Sequence, residues 1–412
     1  MPLVSPAPQP APGALPASVQ RSVLLLSMAT FSSMATQRVC DAMLPALSQQ
    51  FGVSLAEAAR VVSFFAVVYG LSQLIYGPLG DRFGKFRIVV VATLGCSLGS
   101  VASALAGSLD ALLAGRVLAA LCAAAIIPMT MAWIGDTVPY AQRQETLARV
   151  GLGTTMGLVS GQLLGGLMAD TLGWRWAFAL LAGLFMAVGF LLMRDMRGPA
   201  GEPSSATDAP GSFGAQTWAM LSSRWPAQVL LTACIEGAAG FGVLAIVASH
   251  LHHVLGLSLS QAGAVAALFG VGGMLYMATA KGLIPRLGES GLALAGGAGM
   301  AFSFALLGMA TWWPLTVLAS LSAGFWFFMF HNTMQTQATQ MAPAARGTAV
   351  SLFAAFLFMG QALGVVAAAS LSSWIGSGKV IVGGGLVILA LGAWLARSLR
   401  ERARQALTDR PV

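Results

Sequence analysis

The sequence predicts an all-α membrane protein whose twelve transmembrane helices form two pseudo-symmetric six-helix bundles. Three observations support this fold class: the composition, the spacing of apolar runs and an internal repeat. Of the 412 residues, 57% are apolar and only 9% are charged, and the mean hydropathy is +0.78. Soluble proteins carry about 25% charged residues, so these charges are too few to cover a soluble surface. The composition therefore excludes a cytosolic enzyme and a disordered chain.

Twelve apolar runs are long enough to cross a hydrocarbon core about 30 Å thick. They are continuous rather than alternating, which favours helices over the strands of a membrane barrel. The first half contains the runs 22–47, 57–80, 87–107, 110–134, 146–169 and 174–194, and the second half contains 227–250, 260–283, 290–311, 313–341, 346–371 and 378–398.

The positions of Lys and Arg predict the orientation of the chain. With the N-terminus in the cytoplasm, seventeen of the 22 basic residues fall on the cytoplasmic side. Only Arg60, Arg175 and Lys379 fall outside, and Arg38 and Arg116 lie within predicted spans. This bias predicts a multi-pass protein of the bacterial cytoplasmic (inner) membrane with both termini in the cytoplasm. It also explains the net charge of +8 as an orientation signal, so we expect the lipid bilayer and no nucleic acid as a partner.

The longest polar stretch divides the chain into two sets of six spans. Residues 195–226 are rich in Pro, Gly and Ser, which is typical of a linker. We therefore expect an N-terminal bundle over 22–194, a cytoplasmic linker over 195–226 and a C-terminal bundle over 227–400. Residues 1–21 are predicted to be a disordered cytoplasmic tail, and 401–412 a second cytoplasmic tail.

The two halves also repeat in sequence. Three short matches occur in the same order, the first two at an offset of 204 positions and the third at 199. They are 82–84 with 286–288, Pro139 with Pro343, and 161–165 with 360–364. A duplicated six-helix bundle is an architecture found in many secondary transporters, whose substrate path lies between the halves.

The loop between the second and third spans reads Gly-Pro-Leu-Gly-Asp-Arg-Phe-Gly-Lys-Phe-Arg over 77–87. It resembles the signature loop of the major facilitator superfamily, with a degenerate copy between spans eight and nine, and the resemblance covers residues 22 to 400. In that family the loop latches the cytoplasmic side when the transporter faces outward. The residues that the resemblance assigns to this cytoplasmic gate are Gly77, Gly80, Asp81, Arg82, Gly84 and Arg87. The alternative for Lys85 and Arg87 is that they are ordinary anchors at the lipid headgroups.

Three further features resemble the twelve-span drug:proton antiporters of that superfamily. Span one ends in Asp-Ala-Met-Leu-Pro-Ala-Leu over 41–47, and span four contains Arg116, although Ala119 and Ala120 replace the usual glutamine and glycine. Span five contains a glycine-rich antiporter motif, except that glutamine replaces its proline. The residues that match or replace this motif are Gly157, Gly161, Gln162, Gly165 and Gly166. The resemblance implies a monomeric secondary transporter that works by alternating access, with a proton gradient as its energy source and no cofactor.

Charged groups at membrane depth cost at least about 2.5–3.5 kcal/mol on insertion scales, so each one is a functional candidate. Asp41 and Arg116 lie at similar depths, and we expect them to pair across spans one and four. In this hypothesis Asp41 takes up and releases the proton, while Arg116 stabilises its carboxylate. The alternative is a static pair between Arg38 and Asp41, which are three residues apart on span one.

Glu236 is the only acidic residue deep in the second half, near the expected midplane. This lone carboxylate suggests a second proton site or an attraction for a cationic substrate; the alternative is a protonated side chain hydrogen-bonded within the bundle. Further polar residues on spans ten and eleven are candidates for the cavity lining, although those of span ten would instead be a hydrated cytoplasmic end if that span stops near Phe330. These cavity candidates are His331, Asn332, Gln335 and Gln361.

The leading functional hypothesis is proton-coupled efflux of a small organic or drug-like molecule. The alternative is import of a small metabolite by proton symport or uniport. A membrane-embedded enzyme is a third hypothesis, but the sequence contains no cluster with the spacing of metal ligands or of a nucleophile and its base. The phosphate-binding sequence of ATP-driven pumps is absent as well.

Overall fold

The computed structural model describes residues 15–196 and 213–408, and within these ranges the regular structure is helical. We number the twelve long segments α1 to α12 in chain order. They are Ala17–Arg38, Arg60–Phe83, Lys85–Ala104, Leu109–Thr137, Tyr140–Asp170, Trp174–Asp195, Arg224–Leu255, 259–287, 289–309, Trp313–Gln340, Arg346–Ile375 and Ser377–Thr408.

In the described part of the chain, nine helices are long and apolar enough to cross a membrane. One of them, Leu259–Met309, is 51 residues long and breaks at Gly288, where φ is 62°. This break separates α8 from α9. Adding α1 and α5, which contain more polar residues, makes the described helices consistent with twelve crossings.

The helix ends differ from those of the apolar runs. The predicted run 22–47 is wrong at its end, because α1 stops at Arg38 and a separate short helix, Leu44–Phe51, follows a turn. Other helix ends extend further than predicted. α1 begins at Ala17, inside the tail that was expected over 1–21, and α12 continues to Thr408 in the expected C-terminal tail. The predicted linker contains the helix Phe213–Ser222, and α7 already begins at Arg224. Hydropathy marks only the length in lipid, whereas good helix formers such as Arg, Ala, Glu and Gln continue a helix into water.

The turns confirm that the two halves are pseudo-symmetric. Every described residue with a positive φ is a glycine, and these glycines form three pairs at offsets of 203 or 204 positions. The pairs are Gly52 with Gly256, Gly84 with Gly288, and Gly173 with Gly376. The helix starts that follow the first pair have the same capping box, formed by Ser54 and Glu57 in one half and by Ser258 and Gln261 in the other.

Two seams join the halves: α5 packs against α8, and α2 packs against α11. We call the end of the bundle that contains Gly84, Gly288 and the start of α1 the basic face, and the end that contains Gly52 and Gly256 the opposite face. Between the middle of the bundle and the opposite face, the Ser63 hydroxyl of α2 donates to the Ala362 carbonyl of α11 at 2.8 Å. The halves therefore meet at this end of the α2–α11 seam.

Candidate transport site

Asp41 lies in the turn that follows α1 and is fully buried. Its Oδ2 atom is 3.4 Å from Nη1 of Arg38, which is also buried. Oδ1 of Asp41 and Nε of Arg38 have no hydrogen-bond partner. The site thus contains a buried ion pair with unused hydrogen-bonding capacity on both members.

The predicted ion pair between Asp41 and Arg116 is wrong. Arg116, buried on α4, instead donates from Nη1 to the Thr36 carbonyl at 2.7 Å, and its guanidinium lies 4.1 Å from the centre of the Phe65 ring. Since α1 ends at Arg38, Thr36 is among the last residues whose carbonyls lack a partner within the helix, and it attracts the guanidinium. Arg116 still interacts with Asp41 electrostatically, without direct contact.

Gln162 of α5, which replaces the proline of the antiporter motif, is completely buried beside Asp41. Neither its amide nitrogen nor its amide oxygen has a partner at hydrogen-bonding geometry. A proline side chain would bring no polar atom to this position. The departure from the motif therefore adds an amide to the surroundings of the Asp41 carboxylate.

The glycines of the same motif allow α5 to approach α1 very closely. A Cβ atom on Gly157, Gly161 or Gly165 would overlap the carbonyl oxygen of Phe31, Ala35 or Val39, respectively. Each glycine thus faces one turn of α1, in the small-residue packing that is common between membrane helices. Gly166 faces the other way, and a Cβ there would overlap the Leu259 carbonyl of α8. The motif thus packs α5 against both its own half and the other half.

The second half repeats this packing. A Cβ on Gly360 of α11 would overlap the Cys234 carbonyl of α7, and one on Gly364 would overlap the Ala238 carbonyl. All four residues lie 199 positions after their counterparts in the first half. The repeat therefore holds at the level of single backbone contacts.

Glu236 has a partner that the sequence does not predict. Its Oε1 atom lies 2.9 Å from Nδ1 of His331, which α10 supplies. Glu236 is fully buried, its Oε2 atom has no partner, and only 12% of the His331 side chain is exposed. The six residues that follow Glu236 form a π-helical turn, Gly237–Gly242, a feature that often marks functional sites.

Aromatic rings surround His331, the partner of Glu236. The His331 ring stacks on Phe327 at 5.6 Å with an angle of 9° between the rings, and it also lies close to Phe241, Phe328 and Phe353. Phe241 belongs to the π-helical turn, and the Arg38 guanidinium of the other half lies 4.3 Å from its ring centre. One phenyl ring therefore connects the charged groups of the two halves.

The remaining cavity candidates differ in exposure. α10 continues to Gln340, so it does not stop near Phe330. Asn332 is partly buried and Gln335 is exposed, whereas Gln361 is buried with an unpartnered Oε1 atom. Gln361 is also the counterpart of Gln162 at an offset of 199 positions. The lining of a cavity by these residues stays a prediction.

The gate loop combines one tight turn with one close contact. Gly84, with φ of 88°, joins α2 to α3, and a Cβ on Gly80 would overlap the sulfur of Met129 on α4. Gly77 faces open space, and Arg82 and Arg87 are exposed. The side chain of Asp81 lies outside the described part of the structure. The latch assigned to this loop therefore stays a prediction.

Lys85 in this loop forms an ion pair with Asp136 at the end of α4. It is therefore more than a headgroup anchor. In the other half, the amide of Gln337 donates to the Glu289 carboxylate at 2.8 Å between the corresponding ends of α10 and α9. Corresponding helix ends are thus joined by an ion pair in the first half and by a hydrogen bond between an amide and a carboxylate in the second half.

At the opposite face, Asp170 of α5 connects to the first turn of α8. Its carboxylate accepts hydrogen bonds from the backbone N–H groups of Leu259, at 3.1 Å, and Ser260. Partial burial alone would raise the pKa of Asp170, but the hydrogen bonds from Ser260, Ser258 and Leu259 hold that pKa below its ordinary value. A carboxylate of one half thereby caps a helix of the other.

The two repeated six-helix bundles and their buried charged residues are consistent with the result of a comparison with known families. Residues 26–365 match the sequence profile of the Major Facilitator Superfamily. The chain belongs to the Major Facilitator Superfamily. The family and the described membrane-length helices make this a multi-pass membrane protein, and relatives with similar sequences are named as MFS-type transporters.

Two relatives illustrate the sequence similarity. The chain is 26% identical to the uncharacterized MFS-type transporter YwfA of Bacillus subtilis over 271 residues, which are 65% of this chain and 64% of the relative. It is 26% identical to the multidrug export protein EmrB of Escherichia coli over 175 residues, 42% of this chain and 34% of the relative. The chain thus spans less than two thirds of the length of these relatives.

Solved structures show the same fold. A bacterial homologue of the human lysosomal transporter Spinster, in an inward-facing and occupied conformation, superposes with a TM-score of 0.75 at 20% identity, covering 97% of this chain and 100% of the other. A POT family transporter in complex with a thioalcohol-conjugated peptide gives a TM-score of 0.77 at 12% identity, covering 92% and 96%.

Proposed function

We propose that this protein is a transporter, a proton-coupled exporter of small organic molecules in a bacterial cytoplasmic membrane, with both termini in the cytoplasm. The observation that carries the proposal is the buried Asp41 carboxylate, which lies where α1, α4 and α5 meet. A carboxyl group that exchanges a proton during transport must change its environment when the halves move. The position of Asp41 supports this role, because its neighbours Ala42 and Gln162 lie against Gly263 of α8, a helix of the other half.

The two arginines have separate roles in this proposal. Arg38 pairs with Asp41 directly and stabilises its ionised form, whereas Arg116 acts electrostatically from its position against Thr36. Protonation of Asp41 would release Arg38 from the ion pair. Because Arg38 also lies on Phe241 of the other half, this release would be felt between the halves.

The direction of transport is supported by similarity and by sequence. EmrB is named a multidrug export protein, and the glycine-rich packing of α5 resembles the antiporter motif. The excess of Lys and Arg on the basic face supports the cytoplasmic location of that face. In this orientation the described conformation is closed on the outside, because Asp170 joins α8 at the opposite face.

The test is expression in an exporter-deficient bacterium exposed to a panel of toxic compounds, with and without a protonophore. We expect resistance to at least one compound, and we expect the protonophore to remove it. Asp41→Asn should remove the same resistance, whereas Asp110→Asn, at an exposed position at the start of α4, should keep it. Increased sensitivity to a compound would indicate uptake, and protonophore-insensitive resistance would contradict proton coupling.

A further inference from the structure

The second half contains a buried acid whose only described partner is an imidazole. Oε1 of Glu236 is paired with His331, and Oε2 is buried without a partner. A buried carboxylate oxygen without a hydrogen bond is costly, so the site favours a donor that the described protein groups do not provide. The N–H group of a ligand can fill this role.

The surroundings of Glu236 also suit an organic cation. Phe241, Phe327, Phe328 and Phe353 lie around the His331 ring, and Phe269 packs on Phe327 with 5.3 Å between the ring centres. Aromatic faces attract cations through their quadrupoles, and they bind flat apolar groups by stacking. A carboxylate hydrogen-bonded to the histidine at the centre of such a cluster provides one charged contact beside a large apolar surface.

Arg38 shows that this cluster accepts a cation. Its guanidinium, which belongs to the other half, lies 4.3 Å from the centre of the Phe241 ring. It does not reach the Glu236 carboxylate, since its ion pair is with Asp41. The aromatic surface is thus occupied by a positive group of the protein, while the acid next to it keeps a free oxygen.

We propose that Glu236 and the aromatic cluster around His331 bind the protonated amine of an aromatic or lipophilic substrate that retains at least one N–H. The ammonium donates to Oε2 of Glu236, and its apolar part lies among the phenyl rings. This inference rests on the proposed transport function and names the substrate class. It distinguishes an N–H cation from a quaternary one, because only the former satisfies the unpaired oxygen.

Polar residues continue along α10 from the site. His331 is partly exposed, Asn332 is partly buried, and Gln335 one turn further on is exposed. They lie between Glu236 and the basic face, where α10 ends. In the proposal, a ligand enters along this side of α10, and His331 is a positioning residue for the carboxylate.

The experiment measures binding to the purified protein in neutral detergent at pH 7 by calorimetry, without a gradient. Three probes share one ring system: 1-naphthylmethylammonium, its N,N,N-trimethyl derivative and 1-naphthalenemethanol. We expect the ammonium to bind about tenfold or more tightly than the other two, as expected for one charge-assisted hydrogen bond. If the unaltered protein binds the trimethyl derivative or the alcohol as tightly as the ammonium, the proposal is overturned.

Variants locate the site. Glu236→Gln should weaken ammonium binding about tenfold or more and leave binding of the alcohol unchanged. His331→Gln keeps a side-chain donor beside the acid, so it should weaken ammonium binding less than Glu236→Gln does. Glu145→Gln is the matched control, because Glu145 is an exposed acid that pairs with Arg149 at the start of α5. Unchanged ammonium binding in Glu236→Gln would overturn the site.

The outcomes also separate this inference from the proposed function. If the ammonium does not bind but protonophore-sensitive resistance depends on Asp41, the transport function stands and the substrate class is wrong. If the ammonium binds through Glu236 but resistance does not respond to a protonophore, the site stands and proton-coupled export is wrong.

Discussion

The two halves of the protein have the same backbone contacts but different charges. α5 packs on α1 as α11 packs on α7, through glycines at an offset of 199 positions. At the same offset, Gln37 corresponds to Glu236, while Arg38 and Asp41 correspond to Gly237 and Gly240. The first half thus has an ion pair where the second half has the glycines of a π-helical turn.

This difference indicates a division of labour. Two arginines and one acid give the first half a surplus of buried positive charge, whereas the second half contributes Glu236 and a neutral aromatic surface. In our proposals the first half handles the proton, and the second half binds the substrate. The packing that the halves share holds both sites close to the interface between the halves.

The largest expected effect comes from breaking the Arg38–Asp41 ion pair, whose counterparts in the second half are the glycines Gly237 and Gly240. Arg38→Gln leaves Asp41 buried without its direct partner, and loss of one member of a buried pair costs about 3–5 kcal/mol. The double variant Arg38→Gln/Asp41→Asn, which is uncharged at these two positions as the second half is at Gly237 and Gly240, should be more stable than the single variant. Thermal unfolding in detergent measures both. A double variant less stable than Arg38→Gln would contradict this account.

A second effect tests the packing that the halves share. Gly161→Ala and Gly360→Ala each place a methyl group against a backbone carbonyl that cannot move aside easily. We expect each to lower stability by about 1–3 kcal/mol, the usual cost of overpacking. Gly183→Ala and Gly383→Ala are the controls, since a Cβ at either position meets open space. If only one of the two halves is sensitive, the packing is not equivalent.

A smaller effect concerns the contact between the halves at the opposite face. Asp170→Asn removes a negative charge from the start of α8, which is worth about 0.3–1 kcal/mol at an exposed helix end. Spin labels at the exposed positions Leu172 and Val254 should show a larger fraction of molecules with separated helix ends. An unchanged distance distribution would show that Asp170 does not hold this face closed.

The pH dependence of the same contact has a defined sign. Because the pKa of Asp170 is held below its ordinary value, its contribution is complete above that value, about 3.9, and is lost as the pH falls through the lowered pKa. The label distances should therefore change below about pH 4 and stay constant near neutrality. Asp170→Asn should show no such step.

The smallest expected effect concerns the two contacts between helix ends at the basic face, one in each half. Lys85 and Asp136 form a partly exposed ion pair, for which about 0.2–1 kcal/mol is expected, decreasing with salt. The corresponding Glu289–Gln337 contact contains only one charge, so its coupling should depend less on salt. Double-mutant cycles with Lys85→Gln/Asp136→Asn and Glu289→Gln/Gln337→Ala at low and high salt measure both. Equal salt dependence would contradict the comparison.

The sequence predicted the fold well because lipid imposes long apolar helices and the repeat restricts their order. It misplaced the ends, such as Ala17 and Thr408, because hydropathy does not report a helix that continues into water. The glycine offsets of 204 and 199 proved to correspond to turns and helix contacts. Such features depend on the local chain and can be predicted from it.

The site was predicted only in part. Arg38, Asp41, Arg116 and Glu236 stand out because charges are rare in apolar runs. Their partners cannot be identified in the same way, because the depth of a residue along a helix does not tell which neighbouring helix its side chain faces. The contact between Glu236 and His331 joins residues 95 positions apart, and no pattern in the sequence links them. The Thr36 carbonyl could have been anticipated only from the end of α1 at Arg38.

The measurement that tests the central claim most directly compares two assays of Asp41→Asn in proteoliposomes, with a compound identified by the resistance screen. One assay is accumulation driven by a pH gradient, and the other is exchange of labelled for unlabelled compound without a gradient. If Asp41 carries the proton, the variant loses gradient-driven accumulation and retains exchange. Accumulation at the wild-type level in Asp41→Asn would contradict the account.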